Sequence, residues 1–196
     1  MHEPNDLSSE DSKFGKEETE KTAENQIFFS VGIAKLLLLD VLTFGFYDLV
    51  WMYKNWKFIR DKRGRSVNPI LRTIFAPLFV WQLFAELSEA VVEEGGKKPA
   101  WPPALMAIFY IVTNFSARYG ARNFNDSFEL IAVLGLIPLV LLQVRVNEVN
   151  TRKSIVTNTR FSKINWVVAI IFVLIWILSL IGYMLPATPY YHHHHQ

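Results

Sequence analysis

Apolar residues in this chain gather into five blocks divided by polar or basic connections, and they do not repeat as the single stripe of a surface helix. Ile164–Leu185 is the plainest block, with no Asp, Glu, Lys, Arg or His in it. A hydrocarbon core of about 30 Å needs about 20 apolar helical residues, so this block is long enough to cross a bilayer. Phe128–Val144 reads as a second crossing, apolar apart from Glu129 and Gln143 and containing Gly135 and Pro138. The remaining blocks carry charge or are short. Ile27–Trp51 has the length to span but holds Lys35, Asp40 and Asp48, and a charge at the bilayer centre costs about 2.5–3.5 kcal/mol. Ile70–Leu87 is interrupted by Arg72, Pro77, Gln82 and Glu86 and is expected to lie in the interface or re-enter. Trp101–Phe115 opens on Pro102-Pro103, which suit a first helical turn, and is short for a span. Ser88–Ala100 and Ser116–Ser127 read as polar loops, and Arg145–Lys163 as a basic, Asn-rich connection.

Lysine and arginine set the orientation. Six follow the first block (Lys54, Lys57, Arg60, Lys62, Arg63, Arg65) and five follow the fourth (Arg145, Arg152, Lys153, Arg160, Lys163). The positive-inside rule places both connections on the cytoplasmic side. Five full crossings would put them on opposite sides. The expected fold class is therefore all-α: a polytopic helical membrane protein with four transmembrane helices and one interfacial or re-entrant segment, the second block taking that role. Five crossings are the alternative. Folding the first block back at Gly45 as a re-entrant hairpin is another arrangement, and it keeps the N-terminus inside.

Composition supports this picture and narrows the chemistry. The chain is 51% hydrophobic, has no cysteine and carries a net charge of +2. Disulfides and Cys-ligated metals are thereby excluded, and the charge is too small to argue for nucleic acid. Residues 1–26 hold eight acids against three lysines and read as a disordered acidic tail. Residues 27–185 form the helical membrane domain and 186–196 a short C-terminal tail. The four histidines His192–His195 lack a defined metal geometry.

The densest feature is Thr43-Phe44-Gly45-Phe46-Tyr47-Asp48-Leu49-Val50-Trp51-Met52-Tyr53-Lys54-Asn55-Trp56-Lys57. Tyr and Trp favour the headgroup boundary and basic residues just beyond meet lipid phosphates, so the stretch reads as an interfacial anchor. On a continuous helix Asp40, Phe44, Tyr47 and Trp51 would share a stripe. Lys35 would sit about 140° from Asp40, too far round to pair with it. Arg72 is the expected partner of Asp40, and Lys54 or another chain's basic residue that of Asp48. Gln143, Asn147 and Asn150 fall at helical spacing; with Asn158 and Asn165 they are expected to cap helices and close turns.

These residues resemble a family of small bacterial integral membrane proteins of unknown function. In that family the first membrane segment ends in T-x-G-x-Y-acidic-x-Y-W-x-Y-basic-N-W. Thr43, Gly45, Tyr47, Asp48, Trp51, Tyr53, Lys54, Asn55 and Trp56 stand at those positions, and Val50 replaces the usual tyrosine. Pro69, Arg72, Ile74 and Phe75 are similar to the start of the family's second block. Gln143, Asn147, Asn150, Asn158, Arg160, Phe161 and Asn165 are similar to its last polar connection. The resemblance covers roughly Gly32 to Leu180. It implies a bacterial inner-membrane location and brings no activity or cofactor.

The motifs of enzymes are missing. His2 is the sole histidine outside the terminal run, and no G-x-S-x-G, HExxH or phosphate-cradling glycine loop occurs. A carboxylate-only, lipid-modifying enzyme has no assignable residues. The function expected is that of a membrane scaffold binding anionic lipid and a second copy or a membrane protein partner. A small transporter or channel, with Lys35, Asp40, Arg72 and Glu86 lining a polar path, is the alternative.

Overall fold

Proline and left-handed backbone, more than hydrophobicity, decide where the helices of this protein stop. A computed structural model describes residues 28–123 and 130–184; the two tails expected at 1–26 and 186–196 lie outside the described residues. The described residues form eight α-helices with no strand: α1 Ile33–Leu42, α2 Phe46–Arg63, α3 Pro69–Ile74, α4 Ala76–Glu93, α5 Pro103–Asn123, α6 Leu130–Leu134, α7 Leu136–Arg152 and α8 Lys163–Met184. They fall into two units that divide after Arg160.

The all-α expectation holds, but four or five transmembrane helices are not supported. Among the described residues two helices are long and apolar enough to cross a membrane, Ile131–Arg152 and Asn165–Gly182. The first runs through α6 and α7, because Gly135 keeps right-handed helical angles (φ −60°, ψ −18°) between them.

The first block does not form one helix. After Leu42 the chain turns through Phe44 (φ 52°) and Gly45 (φ 83°), both left-handed, and α2 starts afresh at Phe46. Glycine takes such an angle without strain and phenylalanine does so only at a cost, so Gly45 is what makes the turn affordable. The stripe expected on a continuous helix is broken as a result: Asp40, Tyr47 and Trp51 are buried, while Phe44 is 43% exposed.

The second block is divided as well. Asn68 caps α3, its Oδ1 accepting from the backbone N–H of Ile70 and Leu71 at 3.0 and 3.2 Å, and Pro69 fills the first turn, where a missing N–H is harmless. Pro77 cannot continue that helix and instead sits in the first turn of α4. The third block is longer than expected. Ser116–Asn123, read as loop, extends α5 to 21 residues, because the segment buries Ala117 and Gly120 and contains no proline.

Ion pairs and hydrogen bonds gather the helix ends of the first unit. Arg63, at the close of α2, reaches Glu86, Glu89 and Glu93 of α4 at 3.2, 3.2 and 2.5 Å. Lys153 pairs with Glu94, and Arg152 donates to the Gly95 carbonyl at 2.7 Å. Gly96 lies so close to α4 and α7 that an added Cβ would stand 2.6 Å from Val149 and 2.7 Å from Val91. The backbone N–H of Gly32, just before α1, donates to the Asn158 carbonyl at 3.2 Å, and Phe28 lines a cleft with Lys62, Arg63 and Glu93. The start of α1 and the ends of α2, α4 and α7 therefore share one end of this unit, and α1 with α2 forms a hairpin that leaves that end and returns to it. Leu36, Leu39, Trp51, Met52, Phe84 and Leu142 are among the fully buried side chains around it.

The second unit is α8, preceded by Phe161 and Ser162. Ser162 Oγ accepts from the Asn165 N–H at 3.2 Å, so the serine supplies the capping oxygen and Asn165 the capped amide, the reverse of the role expected for Asn165. Most side chains of α8 are exposed, including Trp166, Ile170, Leu174, Trp176 and Leu178.

A hairpin returning to the basic end predicts that probes at residue 61, at residue 153 and just before Phe28 all react from the same membrane face. Labelling of single-cysteine variants with an impermeant maleimide checks this; opposite faces for residue 61 and the probe before Phe28 would contradict the hairpin.

Candidate functional site

The hairpin tip creates a capping problem. The residue preceding α2 is Gly45, which has no side chain to satisfy the first N–H groups of that helix. Residues at the end of α1 do so. Thr43 Oγ accepts from the Tyr47 N–H at 3.0 Å and donates its own proton to the Leu39 carbonyl at 2.7 Å. Asp40 Oδ1 accepts from the Asp48 N–H at 3.0 Å. Asp48 in turn accepts a very short hydrogen bond on Oδ2 from the Tyr110 hydroxyl of α5. The ring of Tyr110 stands edge-on to Phe84 of α4 at 6.3 Å.

Both carboxylates are buried and adjacent, and both lie outside the two helices able to cross a membrane. Burial raises Asp40 to about 7, with the neighbouring charge of Asp48 adding to the effect and the Asp48 N–H opposing it. Burial likewise raises Asp48 to about 6, against the lowering effects of the Tyr110 hydroxyl, the Leu49 backbone and the Arg118 charge. Tyr110 is pushed well up by burial and by the acid beside it. Arg72 is not the partner of Asp40: its guanidinium lies 4.4 Å from the Trp56 ring centroid and 5.1 Å from that of Phe79, and it donates to Gln82 at 2.9 Å. Nor does Asp48 pair with Lys54, whose ammonium lies 4.7 Å from the Phe29 ring centroid. The helix break turns Asp48 into the interior, away from the basic stretch that follows it in sequence.

A second buried polar group is made of amides. Gln143 on α7 accepts from Trp51 Nε1 at 2.6 Å and donates to the Phe29 carbonyl at 3.0 Å and to Asn147 Oδ1 at 2.9 Å. Asn147 passes the chain on by donating to the Val31 carbonyl at 2.8 Å. Lys35 closes it, bound to Asn158 Oδ1 at 3.0 Å and to the Arg160 carbonyl at 2.7 Å. The extended segment 28–32 has no helix to satisfy its carbonyls, and these side chains do so instead. Asn147 and Asn158 thus tie separate parts of the chain together and do not cap their own helices. Asn55 donates to the Trp51 carbonyl at 2.9 Å, while its Oδ1, both polar side-chain atoms of Asn150 and Ser30 Oγ are buried without a hydrogen-bond partner. The Asn150 backbone carbonyl closes the end of α7 by accepting from Ile155 at 2.9 Å, as a turn-forming role requires.

Of the motif, Thr43, Tyr47, Trp51, Asn55 and Trp56 are buried, and Tyr53 and Lys54 are exposed. A purely interfacial anchor does not describe the buried members, which hold α2 against its neighbours. Lys35, Asp40, Arg72 and Glu86 are held by separate partners, Glu86 pairing with Arg63 and Arg65 at 3.2 Å each. Tyr110 and Arg118 were not singled out from sequence, since each is a common residue type without a motif around it. Among the described residues no cluster of three or more His, Cys, Asp or Glu could hold a metal. No protein-family model matches the chain, and no match is found among curated proteins or solved structures.

The amide group predicts a structural phenotype. Gln143→Leu leaves the Trp51 N–H and the Phe29 carbonyl unpaired, and an orphaned buried polar group costs about 1–3 kcal/mol. The variant should unfold at lower denaturant than wild type, read by circular dichroism in detergent. An unchanged midpoint would show that the network contributes little.

Proposed function

We propose that this chain is an integral, multi-pass membrane scaffold, of the kind found in a bacterial inner membrane, whose basic end binds anionic lipid headgroups. The carrying observation is that both basic connections meet at one end of the first unit. Large apolar side chains on the two helices apolar enough to cross favour a lipid surround: Val133, Leu134, Ile137 and Val144 on α6 and α7, and Trp166, Ile170, Leu174 and Leu178 on α8, are all exposed. The exposure of Lys57 and Arg160 supports contact with phosphates. A cleft of about 520 Å³ lined by Phe28, Phe58, Lys62, Arg65, Glu93 and Glu94 offers apolar, basic and acidic groups to a headgroup or a protein partner. The exposed apolar length of α8 suits a second copy or another membrane protein. Membership of the family that the motif resembles belongs to the same proposal, supported by the role of Thr43, Gly45, Trp51, Gln143, Asn147 and Asn158 in holding the hairpin.

Each basic residue near an anionic surface contributes about 1 kcal/mol. Reversing Lys54, Lys57 and Arg160 to Glu should therefore lower retention of phosphatidylglycerol more than about tenfold, measured by native mass spectrometry of the purified chain with phosphatidylcholine as reference. Equal retention of the two lipids by wild type, or no change in the triple variant, would reject the lipid-binding reading.

A further inference from the structure

We propose that Asp40 and Asp48 form a proton-binding site at the tip of the α1–α2 hairpin that releases its proton as pH rises through neutrality. The side chains of Asp40 and Asp48 belong to residues only 5% and 6% exposed. They are held next to one another because Asp40 Oδ1 binds the backbone N–H of Asp48 at 3.0 Å, so the two acids cannot separate without uncapping α2.

Among the described residues, the groups on α1, α2, α4 and α5 leave the pair short of positive charge. On α1 the ammonium of Lys35 is bound to Asn158 and the Arg160 carbonyl. On α2 the neighbouring titratable group is the buried phenol of Tyr47. On α4 the nearest feature is the Phe84 ring, through Tyr110. On α5 stand the Tyr110 hydroxyl, bound to Asp48, and the guanidinium of Arg118, on an exposed residue. One exposed cation thus faces two buried carboxylates. Two adjacent buried carboxylates do not both ionise at ordinary cost, and retaining a proton removes the second charge.

The acids are raised to about 7 and about 6, which agrees with this geometry. They titrate as a pair, without a fixed assignment of the proton to either residue. Because both folded-state values lie above the ordinary carboxylate range, the folded chain binds more protons than the unfolded chain between about pH 4 and 7. Stability from this site is complete below that window and declines as pH rises through it. This property is separate from lipid binding, since no basic-end residue takes part.

The test uses the full chain in nanodiscs of zwitterionic phosphatidylcholine, comparing wild type with Asp40→Asn and Asp48→Asn. Asparagine keeps an oxygen to accept the Asp48 N–H or the Tyr110 hydroxyl, so the capping survives. Potentiometric titration from pH 5 to 8 should show wild type releasing one proton per chain more than either variant; the histidines titrate in all three and cancel. Over the same range the thermal midpoint of wild type should fall, and those of the variants should fall less. Identical titrations and identical midpoint profiles in all three would overturn the site. So would a wild-type profile that shifts when sodium replaces choline at constant ionic strength, because the ligand would then be a metal cation. Should a variant lose its helix content, infrared spectroscopy of wild type decides: a protonated-carboxyl band that disappears between pH 5 and 8 supports the site, and its absence throughout overturns it.

Discussion

The first unit depends on one constraint: a helix that begins at Phe46 with no side chain of its own to cap it. The reversal through Phe44 and Gly45 leaves the leading N–H groups of α2 pointing back at the end of α1. Thr43 and Asp40 meet them there. A carboxylate buried for this purpose brings its charge problem with it, and Asp48 and Tyr110 are the neighbours on which that problem falls. Capping, burial and titration at the tip are consequences of a single turn.

The amide network addresses a related difficulty at the other side of the hairpin. Residues 28–32 enter as extended chain with unpaired carbonyls, and the side chains of Gln143 and Asn147 accept the task a helix would perform internally. A buried amide has both donors and acceptors, so one Gln can tie the Trp51 indole, the Phe29 carbonyl and Asn147 together. Tying α2, α7 and the entering segment at one point sets their register more narrowly than apolar packing alone, which tolerates sliding. The arginine of the second block serves the same end differently, its flat guanidinium stacked between two aromatic rings.

Several features were legible along the chain. The all-helical class and the two helices apolar enough to cross a membrane follow from local composition. The helix ends that open the two basic connections, at Arg63 and Lys153, lie at one end of the first unit. Four crossings are not supported because the length of an apolar block is not the length of a helix. Phe44 and Gly45 divide the first block, and Pro77 divides the second. Gly45 had been noted as a possible fold-back point. What could not be weighed was the capping by Asp40 and Thr43, which makes that reversal stable. The partners of Asp40 and Asp48 were misassigned for the same reason: helical offsets computed through a break do not describe neighbours in space.

Sequence by itself determined which segments are long and apolar enough to cross a membrane and where helices can start and stop. Those properties depend on runs of apolar residues, on proline and on glycine, whose effects act within a few positions. Tertiary structure alone decided that Tyr110 would meet Asp48 across 62 residues and that Gln143 would meet Trp51 across 92. A buried donor or acceptor is costly to leave unpaired, and partners this far apart in the chain come within reach only when the whole set of helices is in place.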